Sequence, residues 1–241
     1  MDKKQNIWVI IPAAGVGKRM GSDTPKQYLS LNNKTILEHT LNVFDKHNSI
    51  SEIVVTISEG DEYWPALNIN LSKPLHVANG GNERCDSVLN GLTFLEDKAG
   101  DNDWVLVHDA ARPCLRHDDL TLLLTTLENH NVGGILAVPV RDTMKRSVSK
   151  NRIKETVDRN NLWHALTPQM FRFKVLKNAL ETALDNNEVI TDESSAIEIA
   201  GYQPVLVEGH SDNIKITRPE DLALAAFFLR EADSTQQKEK T

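Results

Sequence analysis

Three cations, Lys18, Arg19 and Lys26, fall within nine residues of one another in the stretch Pro12-Ala-Ala-Gly-Val-Gly-Lys-Arg-Met20 and its continuation to Pro25-Lys-Gln-Tyr-Leu29. The small residues Ala13, Ala14, Gly15 and Gly17 let a backbone come close to a ligand and offer amide groups to phosphate oxygens or a base edge. A guanidinium such as Arg19 binds two oxygens at once, and an ammonium such as Lys26 acts as a point charge. This combination suits a triphosphate whose charge grows or moves during reaction. Two common phosphate loops do not fit. A Walker loop needs glycine five residues after Gly15, where Met20 stands. A dinucleotide fingerprint is G-x-G-x-x-G, and Gly15, Gly17 and Gly21 are spaced one residue too far. The bland alternative, a surface loop with solvated cations, is weakened by the buried strand that directly precedes it.

The elements that must position this loop are legible as apolar runs. Ile7–Ile11, Ile53–Ile57, Trp104–Val107, Gly134–Val138 and Pro204–Val207 are continuous rather than alternating, which suggests strands buried on both faces of a mostly parallel sheet. Helical patterns lie between them. Thr35–His47 opens on the capping box Thr35-Ile-Leu-Glu38. Glu83–Leu95 places Val88, Leu92 and Leu95 on one face; Asp118–Leu127, Phe173–Leu184 and Arg218–Leu229 follow. The last has Thr217 as its cap, Pro219 in the first turn and Glu220 three residues after the cap. Alternating strands and helices predict an α/β fold, a three-layer helix–sheet–helix sandwich with a Rossmann-like sheet. Ligands of such sheets sit beyond the carboxyl ends of the strands.

One segment breaks the rhythm. Arg141 to Trp163 is rich in charge, and Thr143–Val148 and Arg152–Val157 alternate around Ser149-Lys-Asn151, which reads as a β-hairpin. It has too few apolar residues for a core of its own. A flap over the site or an arm gripping a second subunit fits it better than a solvated excursion.

Composition narrows the function. The chain has 241 residues, 40% hydrophobic and 25% charged, with a net charge of −7. No basic domain or stripe marks a nucleic-acid binder, so an anionic ligand must meet a local basic pocket on an acidic body. Cys85 and Cys114 lie far apart, which implies neither zinc site nor disulfide framework and fits a reducing cytoplasm. Ile7–Ile11 is too short for a signal peptide's apolar region, and no apolar stretch approaches the roughly 20 residues of a membrane helix.

The loop and four further stretches together resemble the 2-C-methyl-D-erythritol 4-phosphate cytidylyltransferase family. Those stretches are Gly80-Gly-Asn-Glu-Arg-Cys-Asp-Ser-Val88, Val107-His-Asp-Ala-Ala-Arg-Pro113, Thr156-Val-Asp-Arg-Asn160 with Leu166-Thr-Pro-Gln169, and Asp212-Asn-Ile-Lys-Ile-Thr-Arg-Pro-Glu-Asp221. The resemblance spans residues 7 to 229 and implies one nucleotidyltransferase domain over 1–233, with 141–160 as a dimerising β-arm; the polar composition of 234–241 suggests a disordered tail. It implies transfer of the CMP moiety of CTP to methylerythritol phosphate, with release of pyrophosphate and help from Mg2+, in a cytoplasmic homodimer without nucleic acid or membrane.

The same resemblance assigns roles. Arg19 and Lys26 match transition-state stabilisers on the phosphates of CTP. Arg159 and Lys215 match residues that hold the acceptor for attack, Arg159 from the foot of the arm and so across the dimer. Pro12, Ala13, Ala14, Gly15, Gly81 and Ser87 match the cytidine pocket. Asp109 matches the Mg2+ ligand, a lone carboxylate being acceptable where substrate phosphates complete the shell. Asp109 and Arg112 match substrate-binding positions, although they could simply pair with each other. Thr167 and Thr191 are weaker candidates, and helix capping suits Thr191 at least as well. His108 points away from Asp109 in a strand and reads as a core residue, and His164 has no role. A related polyol such as ribitol phosphate remains open as the acceptor. A non-catalytic nucleotide-binding regulator is expected to lack Arg19, Lys26 or Asp109, and all three are present.

Overall fold

A computed structural model of the protein describes residues 5–15 and 24–238. Strand β1 (Ile7–Pro12) leads into the loop, and a single 3-10 turn, Lys26–Tyr28, follows. A small hairpin, β2 (Ser30–Leu31) and β3 (Lys34–Thr35), precedes α1 (Ile36–Asp45). Then come β4 (Glu52–Ile57), β5 (Leu75–Asn79), α2 (Arg84–Phe94), β6 (Trp104–Val107), α3 (His117–Leu127) and β7 (Gly133–Pro139). The arm is β8 (Met144–Val148) and β9 (Arg152–Val157). The chain returns through β10 (Trp163–Arg172), α4 (Phe173–Asp185), α5 (Glu193–Ile199), β11 (Val205–Glu208) and α6 (Pro219–Lys238).

Seven strands form the central sheet in the order β11-β7-β10-β6-β1-β4-β5. β1 runs parallel to β4 and β6, β4 to β5, and β11 to β7. β10 is antiparallel to both β6 and β7. Alternate residues of β1 serve opposite cores. Val9 and Ile11 pack with Leu37, Leu41 and Phe44 of α1 and Leu120 and Leu123 of α3. Trp8 and Ile10 pack with Val88 and Leu92 of α2, Leu176 and Leu180 of α4 and Ala196 of α5. A third cluster seats α6, through Ala225, on Ile36, Ala111 and Ile216. This is the predicted helix–sheet–helix sandwich. Four of the five continuous apolar runs are buried strands, whereas β11, expected to be buried on both faces, is an edge strand with Leu206 45% exposed.

Besides the small β2–β3 hairpin, three elements of the central sheet and its layers were not legible. β5 is a short, half-exposed edge strand with no apolar run. β10 carries Pro168 in its interior, which argues against a strand; the ladder accommodates it where the register shifts between Ala165 and Gln169. α5 has only seven residues and no long periodicity. The arm matches expectation to within a residue, and β8 and β9 form a sheet separate from the central one.

Helix caps agree with sequence at one end of the chain and correct it at the other. The Thr35 hydroxyl accepts from Glu38 N at 3.2 Å and Thr35 N donates to Glu38 Oε2 at 2.6 Å, the expected capping box. At α6 the carboxylate that receives Thr217 N and Thr217 Oγ1 belongs to Asp221, at 2.8 and 3.1 Å, not to Glu220. The residue after the proline has turned outward, so the next acidic side chain takes the role. α6 runs to Lys238, beyond the Arg218–Leu229 span expected for this helix. The residues after Asp233 include Gln236, Gln237 and Lys238, all good helix formers, with no glycine or proline to stop them.

Thr35→Ala is expected to destabilise the fold by about 1 kcal/mol through loss of the cap. Urea unfolding of the two proteins at equal m-value checks this.

Candidate functional site

β1, β4, β5 and β6 are parallel neighbours, so their carboxyl ends open on the same side of the sheet. A cleft of about 360 Å³ lies there. Pro12–Gly15 after β1, Gly81 after β5, Ser87 of α2 and Asp109 after β6 line it, together with Lys26 and with Lys215 from the loop before α6. Nine of the residues singled out from sequence are thus brought together from five separate parts of the chain. Gln27, Asn82, Glu83, Arg84, Ala110 and Ala111 complete the wall.

The glycine turn is required by close packing. A Cβ on Gly80 would lie 2.3 Å from Ala14 Cβ, and one on Gly81 would lie 2.2 Å from Asp86 Cβ. Any side chain there would push the two cleft walls apart. Ser87 Oγ accepts from Gly81 N at 3.0 Å and donates to the Glu83 carbonyl at 3.1 Å, which fixes the turn on the first residues of α2.

Asp109 is the electrostatic centre. Its Oδ1 accepts from Arg84 Nε at 3.0 Å; its Oδ2 pairs with Lys215 Nζ at 2.9 Å and Arg112 Nε at 3.3 Å. Burial would push its carboxyl up, but the charges of Arg84, Lys215 and Arg112 overcome this and hold it well below the usual carboxylate range. Arg84 is itself anchored from behind, its NH1 and NH2 on the two oxygens of Glu193 at 2.7 and 3.1 Å. Glu193, at the start of α5, is 1% exposed. Burial disfavours the Arg84 charge, and Glu193 and Asp109 together more than restore it. Arg112 also donates to the Asn213 carbonyl at 2.7 Å, and Asn213 Nδ2 to the Thr167 carbonyl at 2.8 Å.

Behind Asp109 the hydrogen-bond polarity is determined. His108 is fully buried, and burial pushes it down to about 4, so it is neutral near pH 7. One ring nitrogen faces the Arg112 carbonyl at 2.9 Å and must donate. The other, 3.0 Å from Thr167 Oγ1, therefore accepts the threonine proton. The same Oγ1 accepts from Asp109 N at 3.1 Å. The Thr167 hydroxyl is committed within the protein: it orients the Asp109 backbone. His108 proves to be the buried support expected of it.

Of the remaining candidates, Arg112 and Thr167 stand behind Asp109 rather than on the cleft wall, and Arg159 and Thr191 do not line the cleft. Arg159 is exposed at the foot of the arm, donating to the Arg141 carbonyl. Thr191 is exposed one residue before Asp192, the N-cap of α5, and its N–H donates to Ser195 Oγ at 3.1 Å. Arg19 lies outside the described residues. Sequence reasoning passed over Arg84, Glu193, Gln27 and Asn213. Arg84 stood within one of the family-like stretches, but nothing in its spacing told that it would face Asp109.

Among the described residues, no group of three or more His, Cys, Asp or Glu could hold a metal ion. Asp109 offers the cleft a buried carboxylate that the neighbouring cations keep ionised. That suits a hard cation sharing its shell with substrate oxygens rather than a resident metal in a protein cage.

Comparison with known proteins places this cleft in context. The profile described as 2-C-methyl-D-erythritol 4-phosphate cytidylyltransferase matches residues 7–231. A protein of that name from Pseudomonas putida is 56% identical over 217 residues, covering 90% of this chain and 92% of its own. One from Vibrio vulnificus is 54% identical over 229 residues, covering 95% and 97%. The crystal structure of the Francisella tularensis 2-C-methyl-D-erythritol 4-phosphate cytidylyltransferase aligns with a TM-score of 0.81 at 42% identity, over 92% of this chain and 99% of that one.

Asp109 supplies stability that is fully present above its ordinary pKa of about 4 and is lost as the pH falls toward its depressed folded-state value. Asp109→Asn is expected to cost about 3 kcal/mol at pH 7, by leaving cations unpaired, and to flatten the acid limb of stability. Urea unfolding at pH 7 and at acid pH checks both; parallel acid limbs for the two proteins would contradict the charge ring.

Proposed function

The chain belongs to the 2-C-methyl-D-erythritol 4-phosphate cytidylyltransferase family, and from that membership and the cleft we infer that it transfers the CMP moiety of CTP to 2-C-methyl-D-erythritol 4-phosphate. The products are 4-diphosphocytidyl-2-C-methyl-D-erythritol and pyrophosphate, a step of non-mevalonate isoprenoid synthesis. An oxygen of the acceptor phosphate attacks the α-phosphorus of CTP, and the bond from that phosphorus to the bridging oxygen of pyrophosphate breaks. The attacking phosphate is already anionic near neutral pH, so the step needs no general base. The difficulty is the mutual repulsion of two polyanions, and the protein's contribution is positioning and charge neutralisation.

The observation that carries this reading is the cationic ring at the strand ends: Arg84, Arg112 and Lys215 on Asp109, with Lys26 on the same cleft. We assign Lys26, with Arg19 from the adjoining loop, to the triphosphate of CTP and to the charge that develops on leaving pyrophosphate. Pro12, Ala13, Ala14, Gly15, Gly81 and Ser87 form the cytidine pocket. Lys215 faces the cleft beside Asp109 and is assigned to the acceptor phosphate. Arg112 and Thr167 act in this reading by holding Asp109 in place. Asp109 is the residue assigned to Mg2+, which when bound with CTP would neutralise phosphate charge.

Arg159 and Thr191 need another surface to complete their roles. We propose that the protein works as a homodimer in which the arm delivers Arg159 to the partner's cleft. The arm supports this: Met144, Val148 and Ile153 are 38, 44 and 67% exposed on a two-stranded sheet with no layer of its own beneath it. Thr191 keeps its assignment to the acceptor as a neighbour of the α5 cap. No helix among the described residues is long and apolar enough to cross a membrane, and Cys85 and Cys114 are free thiols, which supports a cytoplasmic setting.

A pyrophosphate-release assay that crosses four nucleoside triphosphates with methylerythritol phosphate and ribitol phosphate tests the assignment. Only the CTP and methylerythritol phosphate pair should turn over efficiently. Lys26→Ala and Arg19→Ala are each expected to lower kcat by about 10²–10³ with folding stability nearly unchanged; near-normal release by both would contradict their roles. Deleting 143–157 should abolish dimers and activity together, as read by sedimentation and the same assay. A monomer with full activity would rule out the arm.

A further inference from the structure

Where the loop leaves β1, three successive carbonyls among the described residues, those of Ala13, Ala14 and Gly15, are taken by two side chains that belong to neither the assigned base pocket nor the phosphate cations. Gln27 is 3% exposed, and its Nε2 donates to the Ala13 carbonyl at 2.6 Å and to the Gly15 carbonyl at 3.1 Å. The Ala14 carbonyl between them accepts from Ser58 Oγ at 2.8 Å. In a trans peptide the N–H points opposite to the carbonyl of the preceding residue. The N–H of Ala14 is therefore directed away from Gln27, and the N–H of Gly15 away from Ser58. Ala13 N is used by the Thr56 carbonyl at 2.8 Å, whereas Ala14 N and Gly15 N have no partner among the described residues. These two amides stand on the wall of the cleft. The adjoining Tyr28 is itself pinned, its hydroxyl on Asp61 Oδ2 at 2.8 Å and its ring stacked on Tyr63 at 5.3 Å. Gln27 thus reaches the loop from a braced turn.

We propose that Gln27, assisted by Ser58, is a positioning residue of the nucleotide pocket: with three successive carbonyls held, Ala14 and Gly15 turn their donors toward the nucleotide. The inference rests on the functional reading above for the identity of that nucleotide. Its physical content is a sign. A carbonyl of Ala13 or Gly15 released from Gln27 would be free to turn its negative end toward a triphosphate or toward the acceptor atoms of a base, and a donor would be lost in the same rotation. Neither Gln27 nor Ser58 need touch the ligand to have this effect.

The test is equilibrium binding of CTP by calorimetry, together with steady-state kinetics, on the wild type, Gln27→Met and Ser58→Ala. Gln27→Met keeps the length and removes both donors. It is expected to weaken CTP binding, and to raise KM for CTP, by about tenfold or more. KM for methylerythritol phosphate should stay within about twofold, because the acceptor's assigned contacts lie elsewhere. Ser58→Ala loses one donor and should weaken CTP binding about threefold. Unchanged CTP affinity in Gln27→Met, or equal losses for both substrates, would overturn the proposal. Should Gln27→Met not fold, Ser58→Ala decides: a CTP-selective loss supports the proposal and no loss overturns it. A wild type that binds CTP but does not turn over methylerythritol phosphate defeats the functional reading while leaving the loop to be judged by binding. A wild type that binds no CTP overturns both.

Discussion

An ionised carboxylate under three cations, Asp109 with Arg84, Arg112 and Lys215, is the interaction around which the cleft is arranged. Neither sign of charge would be tolerable there alone. A lone buried carboxylate would take up a proton, and three clustered, partly buried cations without it would repel one another. Held together, they form a charged surface that is already ordered before any phosphate arrives. An incoming phosphate can then exchange for part of Asp109's hold on cations such as Lys215, which is a third exposed and carries its charge on a flexible stem. The cost of ordering these side chains is met in folding rather than in the reaction step.

The rest of the fold supplies the walls that keep this ring in register. Parallel strands bring the loop after β1, the glycine turn after β5 and Asp109 after β6 to one edge. The antiparallel strand β10 is the exception with a purpose. It runs back along β6 and places Thr167 under the Asp109 amide, where the neutral His108 determines which way each proton points. The short α5 adds Glu193 behind Arg84. Both elements also give apolar side chains to the core, Met170 and Phe171 from β10 and Ala196 and Ile197 from α5, so the polar groups they aim are held on a packed base.

The nucleotide side of the cleft follows the same logic with neutral groups. Gly80 and Gly81 allow the walls to meet, and Ser87, Ser58 and Gln27 tie down backbone groups that would otherwise be free to face the ligand. The charged half of the site is ordered by ion pairs and the uncharged half by side-chain-to-backbone hydrogen bonds.

From sequence alone, the sandwich architecture, five of the seven sheet strands, the arm and the cap of α1 were determined, because continuous apolar runs, period-2 alternation and a Thr-x-x-Glu box are local signals. The spacing of Lys18, Arg19 and Lys26 was legible for the same reason. Only the tertiary structure decided what Asp109 pairs with, that the Thr167 hydroxyl faces inward, that Asp221 rather than Glu220 caps α6, and that Gln27 and Glu193 matter at all. Those outcomes depend on contacts between residues as far apart as Arg84 and Glu193 or Gln27 and Ala13, and on the direction each donor faces. A chain's spacing encodes neither until the strands have brought the residues together.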